Sequence, residues 1–362
     1  MRLRLARGGL LLAPFAAALL VGAVVLLLTG RNPIDTYGLL LAQSWGSGSG
    51  IANSLSQATP ILLTGLATAF AFRAGVFTIG VEGSLYFGAF AGAWVGFTLG
   101  GLPGFALIGL ALLAALLAGG LWGLLPGILR ARWRVDEVVT TLMLNFVAIS
   151  LTSYLVNGPF LAVGTANSMS PIVAPEARLG SLAPPSQLSA GFLIALLLAG
   201  LFWFVMSRTT LGYRLDLAGS SPRFAAASGI DLRRVILIAM VVAGCIGGLA
   251  GAIQVLGVNG RFIDRFSPGF GFTGIAVALL GRNTAIGCVL AALFFGGLNN
   301  GAAMMQLFSD IPLDLVNVLS GTVMIFAVLD FTRIRLLCHA GVTPALSSAP
   351  AEAPSAGAGP RP

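Results

Sequence analysis

Apolar runs of bilayer-spanning length recur along almost the whole chain, and no other feature restricts its fold so severely. The first, Leu10 to about Thr29, is about 20 residues long, enough to cross a hydrocarbon core about 30 Å thick as a helix. Further runs lie at 51–72, 76–98, 105–126, 137–157, 189–206, 235–257, 269–281, 285–303 and 313–331. In lipid every backbone N–H and C=O needs an internal partner, so each run is expected to be helical. The expected fold class is therefore an all-α polytopic membrane protein with about ten transmembrane helices. Charge content supports this, since only 9% of residues are charged against about 25% in soluble domains. Mean hydropathy is +0.96.

Arginine placement sets the expected orientation. The chain contains no Lys, so all 20 basic residues are Arg. They stand singly or in small groups between apolar runs, whereas a nucleic-acid face would gather them with interleaved aromatics; no nucleic-acid partner is expected. With the amino terminus in the cytoplasm, Arg2, Arg4, Arg7, Arg73, Arg130, Arg132, Arg134, Arg208, Arg214, Arg223, Arg233, Arg234, Arg282, Arg333, Arg335 and Arg361 fall inside. Only Arg31, Arg178, Arg261 and Arg265 fall outside. One missed crossing would invert everything downstream, so this asymmetry argues for the count and for both termini being cytoplasmic. Arg2, Arg4 and Arg7 also precede the first run as they would in a secretory signal. Such a signal has an apolar stretch of only about 7–15 residues, so an uncleaved first span is expected.

Between the spans, 30–50 reads as a polar stretch rich in Gly and Ser, and 158–188 as a longer, Pro-rich one. Residues 341–362, rich in Pro, Ala and Gly, read as a disordered cytoplasmic tail. Cys245, Cys288 and Cys338 show no metal or redox spacing, and His339 is a lone histidine beside the tail.

Five crossings per half would make the third and eighth spans run in opposite directions, giving inverted pseudo-symmetry. Both are punctuated by glycine, at Gly75, Gly80, Gly83 and Gly88 and at Gly269, Gly271 and Gly274. Interrupted segments at matching positions of two halves point to a solute path between them; close helix packing explains single glycines equally well. The segment 269–281 is short for a span. Either Phe262–Pro268 extends it, or it is a broken element buried among other helices.

Polar groups within the spans are few. Glu82 is the one carboxylate well inside a run, and there it needs a partner or water. It either lines a path or subunit contact, or is held by nearby backbone or by Arg73. Asn145, Gln254, Asn299 and Asn300 carry amides that can both donate and accept, for a solute or between helices. Asp136 and Glu137 open the fifth span, where carboxylates suit a helix N-terminus. The candidates for a solute path are Thr78, Glu82, Asn145, Gln254, Thr273 and Asn299.

The loop 207–234 is the most structured polar segment. Ser221 and Pro222 provide an N-cap and first-turn proline, Arg223 to Ser228 can form about two turns, and Gly229 stops them. Asp231 is placed to cap the seventh span. A short capped helix outside the membrane is expected to dock a partner.

This segment, Gly219-Ser220-Ser221-Pro222-Arg223-Phe224-Ala225-Ala226-Ala227-Ser228-Gly229-Ile230, resembles the cytoplasmic coupling motif of ABC importer permeases of the branched-chain amino acid, ribose and nucleoside superfamily. Phe77 to Gly83, Val138 to Asn145, Arg208 to Gly212 and Gly274 to Asn283 are similar to segments of its nucleoside/simple-sugar branch. The resemblance spans about 50–335. It implies a single permease domain over 1–340 in the cell (inner or plasma) membrane, surrounded by lipid. It also implies a cytoplasmic ABC ATPase, a second permease subunit, in this family often a non-identical one, and an extracytoplasmic solute-binding lipoprotein. Ser221, Pro222, Arg223, Phe224, Ala225, Ala226, Gly229 and Ile230 would form the ATPase-coupling helix. The family usually carries an acidic residue at the position of Arg223, which implies a re-paired contact. Ser84 and Thr78, the latter where Asn is common, leave the solute open between nucleosides and simple sugars. The chain lacks Lys and a phosphate-binding Gly-x-x-x-x-Gly-Lys pattern, so no cofactor is expected in this chain and ATP would be used by the partner. The competing expectation is an ion-coupled secondary transporter with Glu82 as coupling group; a membrane enzyme would need a catalytic cluster that the spans lack.

Overall fold

The computed structural model describes residues 32–164 and 167–309, with residues 20, 21, 23, 24, 27 and 321 besides. Most of the first and last expected spans, and the tail 341–362, lie outside the described residues. The described elements are α1 (Pro33–Trp45), α2 (Gly48–Arg73), α3 (Val81–Thr98), α4 (Gly104–Trp133), α5 (Glu137–Asn157), α6 (Gly191–Arg208), α7 (Thr210–Ser220), α8 (Pro222–Ala227), α9 (Leu232–Gln254), α10 (Phe270–Leu280) and α11 (Ala285–Ser309). A 3₁₀ turn (Pro175–Ala177) and a π-turn (Val255–Asn259) complete them. Among the described residues there are no strands, only isolated bridges.

A helix occupies each of the eight internal spans expected from hydropathy. Six are long and apolar enough to cross a membrane; α3, with 18 residues, and α10, with 11, are not among them. The differences at their ends have local causes. The third span begins at Val81 rather than at 76, because Gly75 turns the chain with φ +74° and Val76 to Ile79 are not helical. α4 continues to Trp133 and ends on Arg134 in the left-handed region, φ 54°. Asp136 then caps α5, accepting from the backbone N–H groups of Val138 and Val139, while Glu137 pairs with Arg130 at 2.9 Å. Residues 262–268 are not helical, so α10 is the broken, buried element; its 11 residues rise only about 16 Å.

Two helices were hidden from hydropathy. The polar stretch 30–50 contains α1, whose N-cap Asn32 accepts from the Ile34 N–H, with Pro33 in the first turn. α1 packs on α11, where Ser44 Oγ donates to Gly297 O at 2.6 Å. The loop 207–234 holds α7 as well as the expected α8.

The packing has a centre and a rim. α2 has 83% of its spanning window buried, against 28%, 22% and 28% for α4, α5 and α6, so α2 is the central post. It contacts α9, α10 and α11, while α3, α4 and α9 pack against one another. Small residues bring the second group together. A Cβ at Gly88 would strike Gly248, one at Gly92 would lie 2.9 Å from Ala252, and one at Gly119 would meet Gly244 and Gly248. These glycines recur at i, i+4 along each helix, the spacing that lets backbones approach in lipid.

At one end of the molecule, the α5–α6 connection is joined by backbone hydrogen bonds to the segment that follows α9 and to the last turn of α3. Ser170 N–H donates to Phe262 O, Val173 N–H to Gly260 O, Ala174 N–H to Gly96 O and Leu179 N–H to Leu256 O. The described residues of 158–188 thereby form an ordered cap. α7 and α8 belong to the other end, beside the α2–α3 turn.

Candidate functional site

The starts of the two interrupted helices, α3 and α10, meet on one carboxylate. Glu82 sits in the first turn of α3 and is 3% exposed. Its Oε2 accepts from the backbone N–H of Gly271, in the first turn of α10, at 2.5 Å. Ser267 donates its hydroxyl to the same carboxylate, and its Oγ accepts from Gly269 N–H and Phe270 N–H at 3.2 and 3.0 Å. Tyr86 Oη accepts from Ser267 N–H at 3.4 Å. The positive ends of two helices thus meet at one negative group, which takes the Gly271 N–H from α10. There is no space for a side chain at this crossing: a Cβ on Gly271 would lie 2.7 Å from Glu82 N. Arg73 has another partner, Asp216 on α7, at 3.0 Å.

α5 braces the non-helical entry to α3. Asn145, 3% exposed, accepts from Gly83 N–H and donates to Ile79 O, both at 2.9 Å. Thr141 Oγ1 accepts from Ile79 N–H at 3.2 Å. Thr78, 2% exposed, accepts from Gly80 N–H. α2 holds α10 from the opposite side, where Thr64 Oγ1 donates to Phe270 O at 2.9 Å. Beside this cluster is a cavity of about 10 Å³ lined by Thr78, Ser84, Thr141 and Trp122, among others. The buried Trp122 indole N–H has no acceptor among the described residues. The cavity's size and polarity suit a single water.

Thr78, Glu82 and Asn145 are therefore gathered where α3 meets α5 and α10. Thr273 lies in the first turn of α10 and donates to Gly269 O. Gln254 is the buried last residue of α9, and Asn299 is partly exposed on α11. Among the described residues no hydrogen bond joins either to the cluster. Asn300 is buried and donates to Gly50 O and Ser54 Oγ on α2. Sequence reasoning passed over Thr64, Tyr86 and Ser267. Ser267-Pro268-Gly269 before an apolar run was a readable cap signal, whereas nothing local marked Thr64.

The segment 207–234 has the expected helix with one difference. α8 starts after Ser221, whose carbonyl accepts from Ala225 N–H but whose side chain makes no cap bond. Gly229 ends it with φ +81°. Ile230 N–H returns to Ala225 O, and Asp231 caps α9 through Arg233 and Arg234 N–H. Ala225 is fully buried and anchors the helix, while Pro222, Arg223, Phe224 and Ala226 project outward. α7 begins on Thr209, which accepts from Gly212 N–H, and ends against the α2–α3 turn. A Cβ at Gly75 would lie 2.9 Å from Gly219 Cα. On α7, burial pushes the Asp216 carboxyl above its ordinary pKa while Arg73 pulls it down. A continuous route therefore runs from α8 through α7 and the non-helical segment 76–80 to Glu82.

Residues 50–328 match the model of a family described as the branched-chain amino acid transport system, permease component. The guanosine ABC transporter permease protein NupP of Bacillus subtilis is 38% identical over 87% of this chain and 92% of its own length. The glucose ABC transporter permease protein TsgB13 of Haloferax volcanii is 37% identical over 88% and 87%. A second guanosine ABC transporter permease protein of the same B. subtilis strain, NupQ, is 30% identical over 72% and 84%. With the family model covering most of the chain and relatives this similar along it, the protein belongs to the permease components of the branched-chain amino acid transport system family.

Proposed function

We propose that this multi-pass membrane protein is the permease subunit of an ATP-binding cassette importer, forming the translocation path for nucleosides or related simple sugars. The observation that carries the reading is the family match over 50–328, and relatives named for guanosine and glucose supply the solute class. The chain would cross the cell membrane ten times in two inverted halves with both ends in the cytoplasm. The meeting of the α3 and α10 N-termini at Glu82 supports that symmetry, since interrupted helices at matching positions flank transporter paths.

In this reading the projecting α8 docks on a cytoplasmic ATPase that binds and hydrolyses ATP. A second permease subunit completes the path, and it is a different chain: two permease proteins named for guanosine in one strain, NupP and NupQ, both match this sequence. The ordered cap over 158–188 offers a fixed platform for an extracytoplasmic solute-binding lipoprotein. Closure of the ATPase would pull α8, and the route through α7 would carry the movement to the α3–α10 junction.

The test is reconstitution of the full complex with radiolabelled nucleosides and sugars. Gly229→Val forces a branched residue into φ +81°, a backbone region nearly closed to it. Solute-stimulated ATP hydrolysis should be lost while the subunits still co-purify. Uptake that persists without the ATPase and collapses with an ion gradient would overturn the proposal.

A further inference from the structure

The coupling segment carries a second surface that α8 does not use. A groove of about 870 Å³ opens between α7 and the start of α9, a volume in the range of small-molecule sites, about 300–1,000 Å³. α7 contributes Leu211, Tyr213 and Arg214 to its walls, and α9 contributes Arg234, Val235 and Ile238. No residue of Pro222–Ala227 lines it, whereas Ser228 to Asp231, which follow that helix, do, so the groove adjoins the projecting helix without including its exposed face.

We propose that this groove binds the headgroup of an anionic phospholipid from the leaflet on the arginine-rich side of the membrane. Three observations favour an amphiphile. Arg214 and Arg234 stand on opposite walls, and both are exposed. Arg234 pairs with Asp231 at 3.1 Å, but its side chain is 82% exposed, which leaves donors of its planar fork for a phosphate. Tyr213, 62% exposed, adds an aromatic ring of the kind that favours a membrane interface. The apolar part of the lining leads along α9 to Ile238, 41% exposed within the second turn of a spanning helix. The groove thus joins a cationic end to lipid-exposed hydrocarbon. An acidic protein surface would use the arginines but not that apolar continuation. A phospholipid seated here would bridge α7 and α9, the two elements that frame α8, and so would steady the coupling helix.

The test uses the complete transporter purified from membranes, with co-purifying phospholipids quantified by mass spectrometry. Basic residues near an anionic surface contribute about 1 kcal/mol each, so the double variant Arg214→Gln/Arg234→Gln should bind phosphatidylglycerol about 30-fold more weakly. Retention of phosphatidylcholine should be unchanged. Ile238→Trp, which fills the apolar end and leaves the charges, should also reduce phosphatidylglycerol retention. In nanodiscs, solute-stimulated hydrolysis by the wild type should rise when phosphatidylglycerol is added to phosphatidylcholine, and hydrolysis by the double variant should not. Equal phosphatidylglycerol retention by the wild type and both variants would overturn the proposal. So would a Tyr213→Cys site shielded from a thiol reagent only when the ATPase is bound, whatever the lipid, since that would assign the groove to the ATPase.

Discussion

Glu82 shows how one charge can be kept in a membrane interior. Its carboxylate is held by Gly271 N–H and Ser267, at the positive ends of two helices, each of which favours an anion by about 0.3–1 kcal/mol and up to about 2 when partly buried. Glu82→Gln keeps an acceptor for Gly271 but loses the charge that both helix ends attract. It should lower the melting temperature modestly, by the equivalent of about 1–2 kcal/mol, and slow uptake. Glu82→Ala strands Gly271 N–H and should cost about 2–4 kcal/mol. Thermal unfolding in detergent and uptake kinetics in proteoliposomes check both; wild-type uptake by Glu82→Gln for every accepted solute would show that the junction does not move in transport. That Glu82 required a partner was legible from its place in an apolar run. The identity of that partner was not, because Gly271 is 189 positions away in sequence and a backbone N–H leaves no side-chain signature. Asn145 was legible in the same limited way: the amide was visible, but its two bonds to the entry of α3 were not.

At the level of elements, hydropathy found the eight internal spans because length and apolarity are summed over many residues. It missed α1 and α7, of 13 and 11 residues, because short helices interrupted by Asp35 or by Arg214 and Asp216 average to an indifferent value. Their caps, Asn32-Pro33 and Thr209, were in plain view and are the better guide for helices this short. α7 is also the element whose contact can be tested most directly. A Cβ on Gly219 would collide with Arg73 O and approach Gly75 N to 2.9 Å, forcing α7 away from the α2–α3 turn. Gly219→Ala should cost about 1–3 kcal/mol and reduce uptake per ATP hydrolysed, with the ATPase still bound. Gly200→Ala on α6 has open space around the added methyl and should be neutral or gain up to about 1 kcal/mol from helix propensity. Equal ratios of uptake to hydrolysis in the two variants would remove α7 from the coupling route.

For the whole molecule, arginine counting and chain geometry are independent arguments that reach the same arrangement of ends. The counting assigns Arg178, Arg261 and Arg265 to the outside without knowing that their loops meet. In the structure those loops are tied together through Ser170–Phe262, Val173–Gly260 and Leu179–Leu256. A Cβ at Gly260 would lie 3.3 Å from the Arg178 guanidinium. At the other end, Arg73 reaches Asp216 on α7, which joins two segments that the counting placed in the cytoplasm. A wrong number of crossings between 73 and 261 would have put one of these pairs on opposite faces. The orientation itself still depends on the positive-inside rule, and it can be measured. Val163 is fully exposed in the cap, and Ala226 is exposed on α8. In intact cells a membrane-impermeant maleimide should label Val163→Cys and not Ala226→Cys, and permeabilisation should expose the second. Labelling of Ala226→Cys from outside would place α8 away from ATP and overturn the coupling mechanism, while leaving the helix packing and the family membership as they are.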